Sequence, residues 1–228
     1  MKFLKKKIIF IVLINLALYS FNVRSQGINL PTDYIRNSVQ GNNITLSKVE
    51  GSPYINDNFL NGKIYIRKKT YNGFLRYNAL NDEIELKEND GTVTSLLKRN
   101  YVKASIQKMN YAIHNFNKGN TIKQGYFQEI TEYNNPTLLL YKQEKVLIPA
   151  QKASSSYKKG SPARIINENT YYIKIGDNPA QPINLNKKSI LSVIGANKEK
   201  LKTFIKTSKL NLKKEEDLIK LINYNNTL

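Results

Sequence analysis

Glu83-Ile84-Glu85-Leu86-Lys87, a turn at Asp90-Gly91, and the returning Thr92-Val93-Thr94-Ser95-Leu96 decide the fold class. Polar and apolar residues alternate through the first limb, the two-residue period of a strand, and Asp-Gly supplies a backbone that reverses easily. Charges between the apolar residues imply one face in the core and one in water, so Glu83 and Glu85 are expected on a solvated face.

The same grammar extends in both directions. Ile64–Ile66 and Phe74–Tyr77 flank Asn72-Gly73, which predicts a second hairpin turning at that pair. Further strand-like segments are Val102–Ile106, Tyr111–Phe116, Gly125–Ile130, Thr137–Tyr141, Lys145–Ile148, Arg164–Ile166 and Tyr171–Ile175. Lys118-Gly119-Asn120, Asn134-Asn135-Pro136 and Asn167-Glu168-Asn169 punctuate them, and the polar Gln151–Pro162 reads as a solvated loop. Near Asn186 the period changes. Ile190, Leu191, Val193 and Ile194 fall at helical spacing before Gly195. Asn197 and Asn211 are expected to cap two more helices, the last with Glu215, Glu216 and Asp217 near its positive end. The predicted class is mainly β (α+β): an antiparallel β meander forming a curved sheet, sandwich or partly open barrel, with a C-terminal helical segment. Residues 26–180 would form the β domain, and 181–228 the helices packed on it.

The beginning of the chain reads differently. Lys2, Lys5, Lys6 and Lys7 precede the mainly apolar Ile8–Phe21, and Val23 and Ser25 are small enough for cleavage before Gln26. The apolar run is shorter than the ~20 residues that span a bilayer, so residues 1–25 are expected to be a removed signal peptide, with no transmembrane segment after cleavage. The expected location is exported: periplasmic, outer-membrane-associated or extracellular.

The 228 residues carry 36 Lys+Arg against 17 Asp+Glu, a formal charge of +19. Five basic and no acidic residues lie in 1–25, leaving +14 on the remainder. That charge is dispersed lysine, in a chain with thirty asparagines and without the arginine clusters suited to phosphates or bases, so dedicated nucleic-acid binding is disfavoured. With no cysteine, there is no thiol nucleophile, disulfide or zinc-thiolate site. A lone histidine, His114, makes no ordinary transition-metal site, and no nucleotide-binding glycine loop or metalloprotease pair occurs. No cofactor, metal or catalytic residue is assigned. Alternation places His114 opposite Ile113, on a face open to water. Glu83 and Glu85, about 7 Å apart on one strand face, are the pair a carboxylate-dependent hydrolase would use. The fifteen tyrosines concentrate in the strand region, where core and edge packing is their default use.

Two segments, Gly51-Ser52-Pro53-Tyr54-Ile55-Asn56-Asp57-Asn58-Phe59 followed by Gly62, and Arg76-Tyr77-Asn78-Ala79-Leu80-Asn81-Asp82-Glu83-Ile84-Glu85, carry a resemblance. Together with Lys209–Leu212 and Leu221–Asn225, they resemble an uncharacterised family of exported proteins from Bacteroidota-type bacteria. The resemblance implies a compartment and an order of elements, and no chemistry. From the residues themselves, Arg76 is expected to pair with Asp82, Glu83 or Glu85 and so orient the turn. Arg76, Tyr77, Asp82, Glu83 and Glu85 are the candidate ligand-binding residues. The functional expectation is a non-enzymatic cell-envelope binding or interaction module with a glycan, lipid or protein partner. Its alternatives are a carboxylate-dependent hydrolase of envelope glycans and a surface adhesin or structural component.

Overall fold

The computed structural model describes residues 30–37, 49–132, 134–152 and 160–228. The expected signal peptide and most of the 151–162 loop lie outside them. After a single 3-10 turn at Thr32–Tyr34, the strands are β1 (Ile35–Asn37), β2 (Leu60–Ile66), β3 (Lys69–Asn78), β4 (Glu83–Lys87), β5 (Val93–Leu96) and β6 (Val102–Ile106). They continue as β7 (Met109–Lys118), β8 (Thr121–Glu129), β9 (Thr137–Lys142), β10 (Lys145–Ile148), β11 (Arg164–Asn167), β12 (Thr170–Ile175) and β13 (Gln181–Ile183). Three helices follow: α1 (Lys187–Ile194), α2 (Lys198–Thr207) and α3 (Glu215–Asn226).

Eleven strands form one open sheet in the order β1-β5-β4-β3-β2-β6-β7-β8-β9-β12-β13, and β10 and β11 form a separate ribbon. Every strand pair is antiparallel, as the meander predicts. A single open sheet is built rather than a sandwich or closed barrel.

The centre of the sheet is a two-faced wall. Along β7 and β8, Tyr111, Ile113 and Tyr126 enter one apolar cluster with Ile64, Leu75, Tyr77, Ile84 and Leu86. Phe116 and Phe127, half a period out of step, enter an aromatic cluster with Leu138, Leu140 and Tyr172 on the other face. Beyond the wall, Leu139 and Ile173 alternate with Leu140 and Tyr172 and turn towards the aliphatic stripes of the helices. The helical segment therefore packs on the sheet, on the face opposite the aromatic cluster.

Asn72-Gly73 is not a turn. It lies inside β3, with Gly73 opposite Gly62, and the chain reverses at Arg67-Lys68, where Arg67 holds φ +54°. Tyr71, Leu75 and Tyr77 keep one alternation through Gly73, and their burial along a ten-residue strand outweighs the local turn preference. Gly62 is required for close approach: a Cβ there would lie 2.6 Å from the Ser105 carbonyl oxygen on neighbouring β6. Helix α1 is capped by Asn186, whose side chain accepts from the Ser189 N–H at 2.9 Å. Asn197 precedes α2 in a left-handed conformation without a side-chain cap. Asn211 does not cap α3, which begins after Lys214; the Asp217 carboxylate instead reaches back to the Asn211 N–H.

Candidate functional site

The turn between β3 and β4 gathers all five candidate residues, and each proves to be engaged within the protein. Glu83 and Glu85 are only 5% and 2% exposed, so the expected solvated face is overturned. Their side of β4 is covered by chain that is remote in sequence. Arg76 Nε and Nη2 both contact Glu85 Oε2 at 2.7 Å, and Asn78 donates to Glu85 Oε1 at 2.9 Å. Ser95 donates to Glu83 Oε2 at 2.8 Å, and Arg36 of β1 donates to Oε1. The expected Arg76 charge pair is formed, with Glu85.

The Arg76 guanidinium is a rivet. Its centre lies 3.6 Å from the Tyr54 ring centroid and 4.3 Å from that of Phe59, and Nη1 donates to the Asp57 carbonyl. A planar cation that is weakly hydrated suits this aromatic bracket. Ile55 N–H donates to the Tyr77 carbonyl and Ala79 N–H to the Pro53 carbonyl. Lys145 Nζ donates to the carbonyls of Ser52 and Tyr54, and burial holds that ammonium below its ordinary range. Residues 51–59 and 76–79 are thereby bound to each other.

Asp82, at φ +55°, turns its carboxylate away from this rivet towards β8. It accepts from the Tyr77 hydroxyl at 2.7 Å, Lys98 at 2.7 Å, Lys142 at 3.0 Å and the Tyr126 N–H at 3.2 Å. Lys142 is 4% exposed; it also donates to the Tyr126 carbonyl and lies 5.2 and 5.1 Å from the Phe116 and Phe127 ring centroids. Gly125 makes the room. A Cβ there would sit 2.8 Å from Asp82 Oδ2 and 2.9 Å from Lys142 Nζ. Burial, then the Asp82 charge, pushes the Tyr77 and Tyr126 hydroxyls well above the usual phenol range. With every carboxylate neutralised by a cation, the assembly locks strands together and offers no free acid–base pair.

A second constellation lies on β7. Antiparallel pairing of β6 with β7 stops at Ala104–Tyr111, because the Val102 N–H donates to the Arg99 carbonyl at 2.9 Å instead of crossing to Ile113. Further along, β7 gains a different neighbour: Asn117 N–H and the Asn115 carbonyl bond Ala180. Between these contacts opens a cleft of about 530 Å3, lined by Ala112 to Asn115, Asn100, Lys103, Gln124, Asn134, Asn135, Leu138, Lys174, Gly176 and Asp177.

His114 forms part of this lining, and at 7% exposure it is not in water as alternation implied. Its Nε2 lies 3.0 Å from Glu129 Oε1, while Lys103 approaches Glu129 Oε2 at 3.4 Å. His114 was visible in the sequence as a singular residue, but Glu129 and the carboxamides carried no signal. They converge only because β6 leaves β7.

Among the described residues, no three His, Cys, Asp or Glu side chains form a metal-holding group. Within the same residues, no helix is long and apolar enough to cross a membrane. No family model, curated protein or solved structure matches the chain.

Proposed function

We propose that the chain is an exported, non-enzymatic binding module of the cell envelope, with its ligand in the cleft beside β7. The cleft is the observation that carries this reading: a ligand-sized opening of about 530 Å3 lined largely by hydrogen-bonding residues. The lysine-led amino terminus and the resemblance to exported proteins support the compartment. A glycan is the favoured partner, ahead of lipid or protein. Arg76, Tyr77, Asp82, Glu83 and Glu85 then act as the frame of the module rather than as its ligand contacts.

The carboxylate-hydrolase alternative is less well supported, because Glu83 and Glu85 are already bound to Arg36 and Arg76. The test is native mass spectrometry of the exported protein after incubation with envelope extract. A retained adduct is expected in the wild type. It should be lost in Asn134→Trp, which crowds the cleft from its exposed lip. Absence of any adduct would overturn the reading, as would turnover of a glycan or ester panel that Glu85→Gln abolishes.

A further inference from the structure

We infer that the cleft ligand is a neutral, hydroxyl-rich saccharide, and that His114 Nδ1 accepts a hydrogen bond from one of its hydroxyls. This rests on the cleft being the binding site and adds the ligand class and its anchor. Three observations carry it.

The first is the state of His114. An ionised carboxylate only accepts hydrogen bonds, so the contact with Glu129 places the imidazole proton on Nε2. In the neutral ring Nδ1 is then left as an acceptor, and it has no partner among the described residues. Nor is it sealed in the core, since Tyr126 Oη is the one buried, unpartnered side-chain atom among the described residues. The ring cannot swing away to find water: it is 7% exposed and meets Phe127 edge to face at 6.0 Å between centroids. A fixed acceptor therefore faces the cleft, its tautomer set from behind by the carboxylate.

The second is the carboxamides. Asn100, Asn134 and Asn135 line the cleft, and none has a side-chain hydrogen bond among the described residues; Asn115 and Gln124, paired across β7 and β8 and one residue out of step with His114, belong to the other face of the sheet. Each offers two donors and an acceptor. Hydroxyl groups, which donate and accept at one atom, match such a surface better than a carboxylate or phosphate that only accepts.

The third is charge. Lys103 is paired with Glu129, Lys174 donates to the Gly176 carbonyl, and Asp177 stands on the same lip. Two cations against two anions leave no net charge to draw in an anionic ligand, even though the chain as a whole is strongly basic. Ala112 and Leu138 add an apolar strip against which the C–H face of a sugar ring can lie.

His114 is the only histidine, so the imidazole nitrogens of a tag-free, 15N-labelled protein give one unambiguous pair of signals. Long-range proton–nitrogen spectra should show Nε2 protonated throughout. Chitotriose, cellotriose and maltotriose are the neutral probes, and trigalacturonate is the anionic one. At least one neutral probe is expected to bind and to shift Nδ1. Removing two lip contacts, in Asn134→Ala/Asn135→Ala, should weaken that binding about tenfold or more, the scale of one or two lost hydrogen bonds. Binding of trigalacturonate alone, or neutral binding that leaves Nδ1 unmoved, would overturn this inference while an envelope adduct keeps the cleft reading. Failure of all four probes together with the absence of an adduct would overturn both.

Discussion

Asp82 and Lys142 together satisfy both backbone polar groups of Tyr126: the Asp82 carboxylate accepts from the Tyr126 N–H at 3.2 Å, and the Lys142 ammonium donates to the Tyr126 carbonyl at 3.2 Å. The β8–β9 register, Gln128 opposite Tyr141 and Glu129 opposite Leu140, would next have set Tyr126 against Gln143. The ladder ends instead, and an ion pair fills the split. A buried backbone group left unpaired costs about 1–3 kcal/mol, so the pair substitutes for strand pairing at a point where the sheet must divide.

That relationship predicts strong coupling. Lys142→Met should destabilise the fold by about 2–4 kcal/mol, because it leaves a carbonyl and part of a carboxylate uncompensated. Asp82→Asn should cost about 3–5 kcal/mol, since the ammonium remains buried without its anion. The double variant should lose clearly less than the sum in urea denaturation. Strict additivity would show that the two side chains act independently.

The tyrosines on either side of Asp82 should respond in opposite directions. Tyr77→Phe removes a hydroxyl that donates to Asp82 at 2.7 Å, and a loss of about 1 kcal/mol is expected. Tyr126→Phe removes a sealed hydroxyl that has no partner among the described residues, so it should be neutral or stabilising by up to ~1 kcal/mol. Thermal or urea midpoints of the two variants decide the matter; equal losses would contradict the geometry.

Stability should be flat at neutral pH and fall on the alkaline side. Burial raises the folded-state pKa values of Tyr77, Tyr111 and Tyr126, with Asp82 adding to the effect at Tyr77 and Tyr126. A raised folded-state value means that the folded chain keeps its proton longer. The contribution is therefore complete below the unfolded phenol value of about 10 and is lost as pH climbs towards the folded values. Each such tyrosine costs up to about 1.4 kcal/mol per pH unit in that window. Urea midpoints measured from pH 7 upwards should stay level and then drop, with tyrosinate absorbance rising in step with unfolding.

Arg76→Lys should not be conservative. Lysine keeps the charge beside Glu85 but loses the flat contact with Tyr54 and Phe59 and the donor to the Asp57 carbonyl. A cost of about 1–3 kcal/mol is expected, with faster hydrogen exchange confined first to residues 51–59. Arg76→Ala should cost more, because Glu85 then stays buried with only Asn78 and no cation. Exchange unchanged over 51–59 would refute the rivet.

How much of this was legible in the sequence follows from which residues needed distant partners. Antiparallel strands, most of their limits and the change to helix near Asn186 could be read directly, because period and turn chemistry are local properties. The Arg76–Glu85 pair was also foreseeable, the two lying nine residues apart across one hairpin. The turn at Arg67 was hidden, since nothing marks a left-handed arginine in advance and Asn72-Gly73 offered the stronger local signal.

The sequence alone established a mainly β chain with a helical tail and excluded thiol chemistry, because composition and periodicity do not depend on what packs against what. Tertiary structure decided the fates of Glu83, Glu85 and His114. A two-residue period separates the faces of a strand but does not say what covers each of them. Arg36 and the 51–59 segment closed one face that looked wet. The parting of β6 from β7 left His114 buried yet facing a cleft, because strand pairing is a property of neighbours brought together by the whole sheet.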